Sequence, residues 1–163
     1  MNCNIVVAAH REYWMPEDPL YLPLHAGKAL SDRDLGFAGD DSGENISAKN
    51  PYYCELTALY WAWKNLSCDY LGLAHYRRHF AARPAPPGKG REAVLTEKEL
   101  AAILAGSTAI VPRRRSYYIE TLYSHYSHTF SSEHLDAARR EIKARCPEYL
   151  PFLEEVWNRR WGY

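Results

Sequence analysis

Residues 69–80 read DYLGLAHYRRHF: an apolar run of strand length that ends abruptly in imidazoles and guanidiniums. Tyr70–Ala74 has no polar face, which is the pattern of a strand covered on both sides. The segment before it, Pro51–Asn65 (PYYCELTALYWAWKN), has helical spacing at Leu56, Leu59, Tyr60 and Trp63, with Asn50 as N-cap and Pro51 at the first helical position. Its other faces also carry rings and alanines, so an internal helix is expected. Further upstream, Ile5–Ala9 is a second short β-branched run, closed by His10 and Arg11. Downstream, Thr108–Val111 reads as a third strand before Pro112. Strand, helix, strand, helix, strand implies crossovers and a mainly parallel sheet with helices on its faces.

The connecting segments are equally legible. Trp14–Pro23 is interrupted by Pro16, Pro19 and Pro23, so no regular element is expected there. Residues 36–51 are rich in Gly, Asp, Asn and Ser and read as a polar loop. Residues 82–91 (ARPAPPGKGR) read as a mobile basic loop. Thr96 with Glu99 forms a capping box for a short helix ending near Gly106. From Tyr117 onward the composition is helical, with Ser131 or Ser132 as a start and Pro147 as a break.

Composition bounds the class. The 163 residues suit one ordinary domain, with 47% hydrophobic and 25% charged residues. The mean hydropathy of -0.48 reflects 13 Tyr and 5 Trp, which bury well despite polar edges. Lys+Arg and Asp+Glu are both 20, a balance unlike that of a dedicated nucleic-acid binder. Cys3, Cys54, Cys68 and Cys146 form no C-x-x-C pair, and the N-terminus lacks a basic signal region, so a reduced, soluble, cytoplasmic chain is expected.

Three groups could carry chemistry. His75, Arg77 and Arg78 follow a strand, where open α/β sheets bind ligands, and guanidiniums suit phosphate. Strand alternation would put His75 and Arg77 on one face and Arg78 on the other; the plain reading is a solvated strand end with one arginine paired to a carboxylate. Asp40, Asp41 and Asn45 sit in a glycine-containing loop that could hold Mg²⁺ or Mn²⁺ or bind sugar hydroxyls, or could be only a polar turn. Glu55, the lone acid of its helix, could be structural, pair with Arg77 or Arg78, or act as a base. Asp32-Arg33-Asp34 has metal-binding D-x-D spacing but no apolar strand in front of it. His125 and His128 have i, i+3 spacing but no third metal ligand nearby, so an aromatic face with Tyr123 and Tyr126 is expected, packed or touching substrate. Arg113-Arg114-Arg115 could meet an anionic membrane or a phosphate, or be a solvated edge.

CELTALYWAWKN, DYLGLAHYRRHF, DDSGENIS, ETLYSHY and NRRWGY together resemble a bacterial capsular and exopolysaccharide biosynthesis family, catalogued as a domain of unknown function with glycosyltransferase members. The resemblance spans the whole chain. It implies a GT-A-like, Rossmann-like α/β fold with a helical C-terminal third, forming a single glycosyltransferase-like domain over residues 1–163. It also implies hexosyl transfer, for some members galactofuranosyl, from a nucleotide sugar such as a UDP-sugar to a saccharide or lipid-linked saccharide acceptor. On that reading Asp40, Asp41 and Glu55 are the catalytic candidates, with His10, Asn45, His75, Arg77 and Arg78 for the donor and Tyr123, His125 and His128 for the acceptor or sugar. Nucleic acid is not expected as a partner, and peripheral association with the inner membrane face is compatible with the resemblance. HYRR stands where many such enzymes carry D-x-D, leaving the metal unassigned. Family members continue past NRR-x-GY, so the chain is expected to be incomplete as an enzyme. The alternative is a non-catalytic module that binds a saccharide or a protein.

Overall fold

The computed structural model describes residues 1–82, 84 and 90–163; most of the expected basic loop at 82–91 lies outside them. The chain divides into two compact units, Met1–Ala109 and Ile110–Tyr163.

The first unit is built on β1 (Cys3–Ala9), which pairs in parallel with β2 (Tyr21–His25) on one side and β3 (Tyr70–His75) on the other. In register, Val7 lies opposite both Pro23 and Ala74. Ile5 to Ala9 are all buried, as befits a central parallel strand. β2 is a regular strand, although the prolines of Trp14–Pro23 predict none. Pro23 is tolerated because β2 is the edge of the order β2-β1-β3. Conversely, Thr108–Val111 is not a strand: its backbone is irregular and Val111 is exposed. So short a run makes a strand only where a neighbour offers a backbone to pair with.

The expected continuous helix is two helices, α1 (Asn50–Tyr53) and α2 (Leu56–Asn65), separated at Cys54, whose φ is 47°. Asn50 is not the N-cap but the first helical residue, and its amide donates to the Cys54 carbonyl and to Thr57 Oγ1. α2 also corrects the expectation of an internal helix. It buries only Thr57, Ala58 and Ala62, while Leu56 and Trp63 are 51% and 63% exposed. Small residues at i and i+4 let the helix lie close on the sheet, where Ala58 and Ala62 join Val6, Ala8, Leu24 and Ala26 in one core. Leu56 and Trp63 are thereby turned outward, while Trp61 packs against the core. α3 (Glu97–Leu104) opens with the expected capping box, complete in both directions between Thr96 and Glu99.

The second unit is mainly helical, as expected: α4 (Leu122–Thr129), α5 (Ser132–Arg145) and α6 (Leu150–Asn158). Ser131 caps α5, and Pro147 separates it from α6 through a short 3-10 turn. Arg139 ties α5 to α6 by a forked contact with Glu154, at 2.6 and 3.3 Å, and lies over the Trp157 ring. The two-residue strands β4 (Arg115–Ser116) and β5 (Trp161–Gly162) pair antiparallel.

Gly27, directly after β2, has φ +73°, and a Cβ there would fall 2.7–2.8 Å from the Asn50 side chain. That amide is held by its own two hydrogen bonds and cannot retreat freely. Gly27→Ala should therefore lower stability by more than the ~1–2 kcal/mol of a left-handed non-glycine residue, read as a reduced urea midpoint at unchanged slope.

Candidate active site

The order β2-β1-β3 means that the chain leaves β1 toward one side and later returns on the other. The carboxyl ends of β1 and β3 therefore flank a switch point, the place where such sheets bind ligands. His10 follows β1, and His75 and Tyr76 stand at the end of β3. They meet there: the His10 and Tyr76 rings are 5.1 Å apart edge to face, and the His75 ring lies 4.2 Å from that of Tyr76. Tyr76 is fully buried, with the guanidiniums of Arg11 and Arg77 5.5 and 5.3 Å from its ring centre. Its hydroxyl has no hydrogen-bond partner among the described residues.

β3 ends in a tight turn in which the Arg78 N–H donates to the His75 carbonyl, 2.8 Å. The strand alternation expected to part Arg77 from Arg78 therefore stops at His75. Both arginines are exposed, and both line a pocket of about 870 Å³ with Arg91, Glu92, Tyr13, Trp14 and His79. Neither pairs with a carboxylate among the described residues.

Glu55 reaches His75 rather than an arginine, with Oε1 3.6 Å from Nε2. Cys54, which precedes it, is held at positive φ, a conformation that costs a non-glycine residue about 1–3 kcal/mol. On its other side the His75 ring accepts the Arg77 N–H at Nδ1, 3.2 Å. An accepting Nδ1 leaves Nε2 to carry the proton toward Glu55. Burial is the main cause holding the His75 pKa below its ordinary value, with Glu55 opposing and Arg77 adding to the effect.

The acidic loop divides into two roles. Asp40 is fully buried: its carboxylate accepts the N–H of Gly27 (3.0 Å) and Lys28 (3.1 Å) and the hydroxyl of Ser47. It braces the turn after β2 and has no face for substrate. Asn45 closes the loop on itself, donating to the carbonyls of Asp41 and Gly43 while accepting the Ser47 N–H. Asp41 is exposed. Asp34 accepts the Gly36 N–H in a local turn. Among the described residues no three His, Cys, Asp or Glu side chains converge to hold a metal.

Tyr123, His125 and His128 belong to the second unit. Glu120 binds both histidines through their Nδ1 atoms, at 3.1 Å for His125 and 2.7 Å for His128, and these bonds lower its pKa. Tyr123 is half-buried against Trp157 and Arg139. It is the packed member of the three.

Tyr76, Arg11, Tyr13 and Arg91 were absent from the sequence candidates. The signal for Tyr76 was its place between His75 and Arg77, although a tyrosine next to charged residues reads as solvated. Arg91 gave no signal, because only folding carries it to Arg77 and Arg78.

The fold can now be compared with known proteins. It is similar to the apo structure of the bifunctional glycosyltransferase WbbM, with a TM-score of 0.87 and 30% identity over 100% of this chain. The chain spans 32% of the length of that one. A glycosyltransferase-like α/β fold is thus the class. Residues 4–163 match the model of the domain of unknown function DUF4422, and the chain belongs to that family. No curated protein matches it. Among the described residues no helix is long and apolar enough to cross a membrane.

Two outcomes follow from the geometry. Asp40→Ala removes the partner of two backbone N–H groups and should cost about 3 kcal/mol or more, since hydrogen bonds to a charged group contribute about 1.5–3 kcal/mol. Asp41→Ala should stay within about 0.5 kcal/mol; chemical denaturation separates the two.

The second outcome concerns pH. His25, His75 and His79 all have pKa values lowered chiefly by burial from an ordinary 6.5. The unfolded chain therefore takes up these protons first as pH falls, so their contribution is complete above about 6.5 and declines below it. The urea midpoint should drop between about pH 7.5 and 5.5, and less so in His79→Phe.

Proposed function

We propose that the chain is a nucleotide-sugar-dependent glycosyltransferase domain, transferring a hexosyl unit to a saccharide or lipid-linked saccharide acceptor in capsular, exopolysaccharide or lipopolysaccharide synthesis. The observation that carries the reading is a set of arginines near the β1–β3 switch point that pair with no carboxylate among the described residues. Arg77, Arg78 and Arg91 line one pocket there, on a fold similar to that of WbbM. A UDP-sugar is the donor that suits it, and a galactofuranosyl donor falls within this class. Work at the cytoplasmic face of a membrane is part of the same proposal.

In this reading the arginines neutralise the leaving diphosphate, whose charge grows in the transition state. His10 and the aromatic residues around Tyr76 border the donor. Glu55, with His75 fixed beside it, takes the proton from the acceptor hydroxyl. Asp41 is the second available carboxylate; Asp40 is not available, because its oxygens are occupied. No three His, Cys, Asp or Glu side chains converge among the described residues, and no step is assigned to a metal.

One observation favours a non-catalytic saccharide-binding module instead. Tyr53, Leu56, Tyr60 and Trp63 line an exposed apolar groove of about 460 Å³ on α2, a surface on which sugar rings could stack. Thermal stabilisation by UDP separates the readings, since a bare stacking surface gives none.

Titration with UDP and UDP-sugars is the direct test. Arg77→Ala or Arg78→Ala should weaken binding about ten- to a hundredfold, the equivalent of losing about 1.5–3 kcal/mol. The lysine variants should recover only part, because they keep the charge and lose the fork. Glu55→Gln should retain UDP binding and lose turnover. Parent-like binding by both folded alanine variants would place the anion site elsewhere.

A further inference from the structure

The second unit carries a cationic and aromatic surface that the proposed transfer reaction does not use. Arg113, Arg114 and Arg115 are exposed, and the β4–β5 pairing brings Arg159, Arg160 and Trp161 to them from more than forty residues away. Two guanidiniums stack on the Trp161 ring, Arg114 3.8 Å and Arg159 4.7 Å from its centre. Arg115 covers Tyr117 at 5.2 Å. Only Arg159 among these five arginines pairs with a carboxylate, that of Glu155, among the described residues. Glu120, the nearest acid in sequence, is held by His125 and His128.

The turn that leaves β4 is unusual in composition. The Glu120 N–H closes it on the Tyr117 carbonyl, 3.1 Å, leaving Tyr118 and Ile119 at its tip. Such tips normally carry glycine, asparagine or aspartate. Here the tip residues are 82% and 86% exposed, and Tyr118 sits at φ 57°, a conformation that disfavours a tyrosine. Tyr163, beyond β5, is also exposed. A turn built for solvent would have no use for isoleucine at its most exposed position.

We propose that this surface docks on an anionic lipid bilayer, the arginines against the headgroups and Tyr118 and Ile119 inserted at the interface. The charge is complementary to anionic headgroups, and aromatic and basic residues around an apolar tip are what an interface accommodates. A nucleic acid would engage the arginines and Trp161 and leave Ile119 idle, so the bilayer is the occupant that uses every part of the surface. The proposal does not depend on the donor site, since every residue in it lies outside the first unit.

Cosedimentation of the full chain with vesicles tests it. Binding to phosphatidylglycerol–phosphatidylcholine vesicles is expected, and none to phosphatidylcholine alone. Raising salt from about 0.1 to 0.5 M should weaken it. Each of Arg113→Gln, Arg114→Gln and Arg115→Gln should cost about fivefold, and the triple variant about a hundredfold. Tyr118→Ser and Ile119→Ser, at sites too exposed to disturb folding, should weaken vesicle binding while leaving UDP binding unchanged. Equal sedimentation with both vesicle types would overturn the proposal. So would binding to phosphatidylglycerol that is indifferent to both turn variants and matched by a single-stranded oligonucleotide.

Discussion

β1 pairs in parallel on both of its edges, and most of the first unit is a consequence of that arrangement. Parallel strands cannot be joined by a hairpin, so the chain must leave the sheet and return to the starting end each time. Every strand then finishes at the same edge, and the loops after the strands are crowded together there. His10, Gly27, Asp40 and the His75–Arg78 turn owe their common neighbourhood to this constraint. The run Ile5–Ala9 is what makes it binding, because a strand with no polar face is stable only between two neighbours.

The edge so formed shows a division of labour among its polar groups. Asp40 is consumed by structure: its carboxylate replaces a missing backbone partner for Gly27 and Lys28 and so sets the course of the chain after β2. Glu55 and His75 are held but not consumed, each keeping an exposed portion beside a fully buried Tyr76. Arg77 and Arg78 are exposed and pair with no carboxylate among the described residues, so their donors face solvent.

The same contrast separates the two units. The first keeps its charge at one edge of a sheet with an apolar interior. The second has little apolar interior, with Trp157 its one buried residue in the apolar set, and relies on the Arg139–Glu154 fork and stacked rings to join its helices. A partly exposed charged pair thus joins helices of that unit, while Arg113, Arg114, Arg115 and Arg160, in and beside the β4–β5 pair, are exposed.

Much of this could be read from residue order. The continuous apolar runs at Ile5–Ala9 and Tyr70–Ala74 determined two of the three sheet strands, because no other conformation buries both faces of so short a segment. The Thr96–Glu99 pair determined the start of α3, since capping is local chemistry. His75, Arg77 and Arg78 were legible as candidates for a site because they directly follow a strand. Tertiary structure decided what depends on a partner distant in sequence. Pro23 is a strand residue only because β2 is the edge strand of its sheet, and Thr108–Val111 is not a strand because no segment pairs with it among the described residues. Glu55 found His75 through the break at Cys54. The bulky face of α2 points outward because Ala58 and Ala62 fit the sheet more closely. Local pattern specifies which conformations a segment can adopt, and the contacts that choose among them come from residues that the segment meets only after the chain has folded.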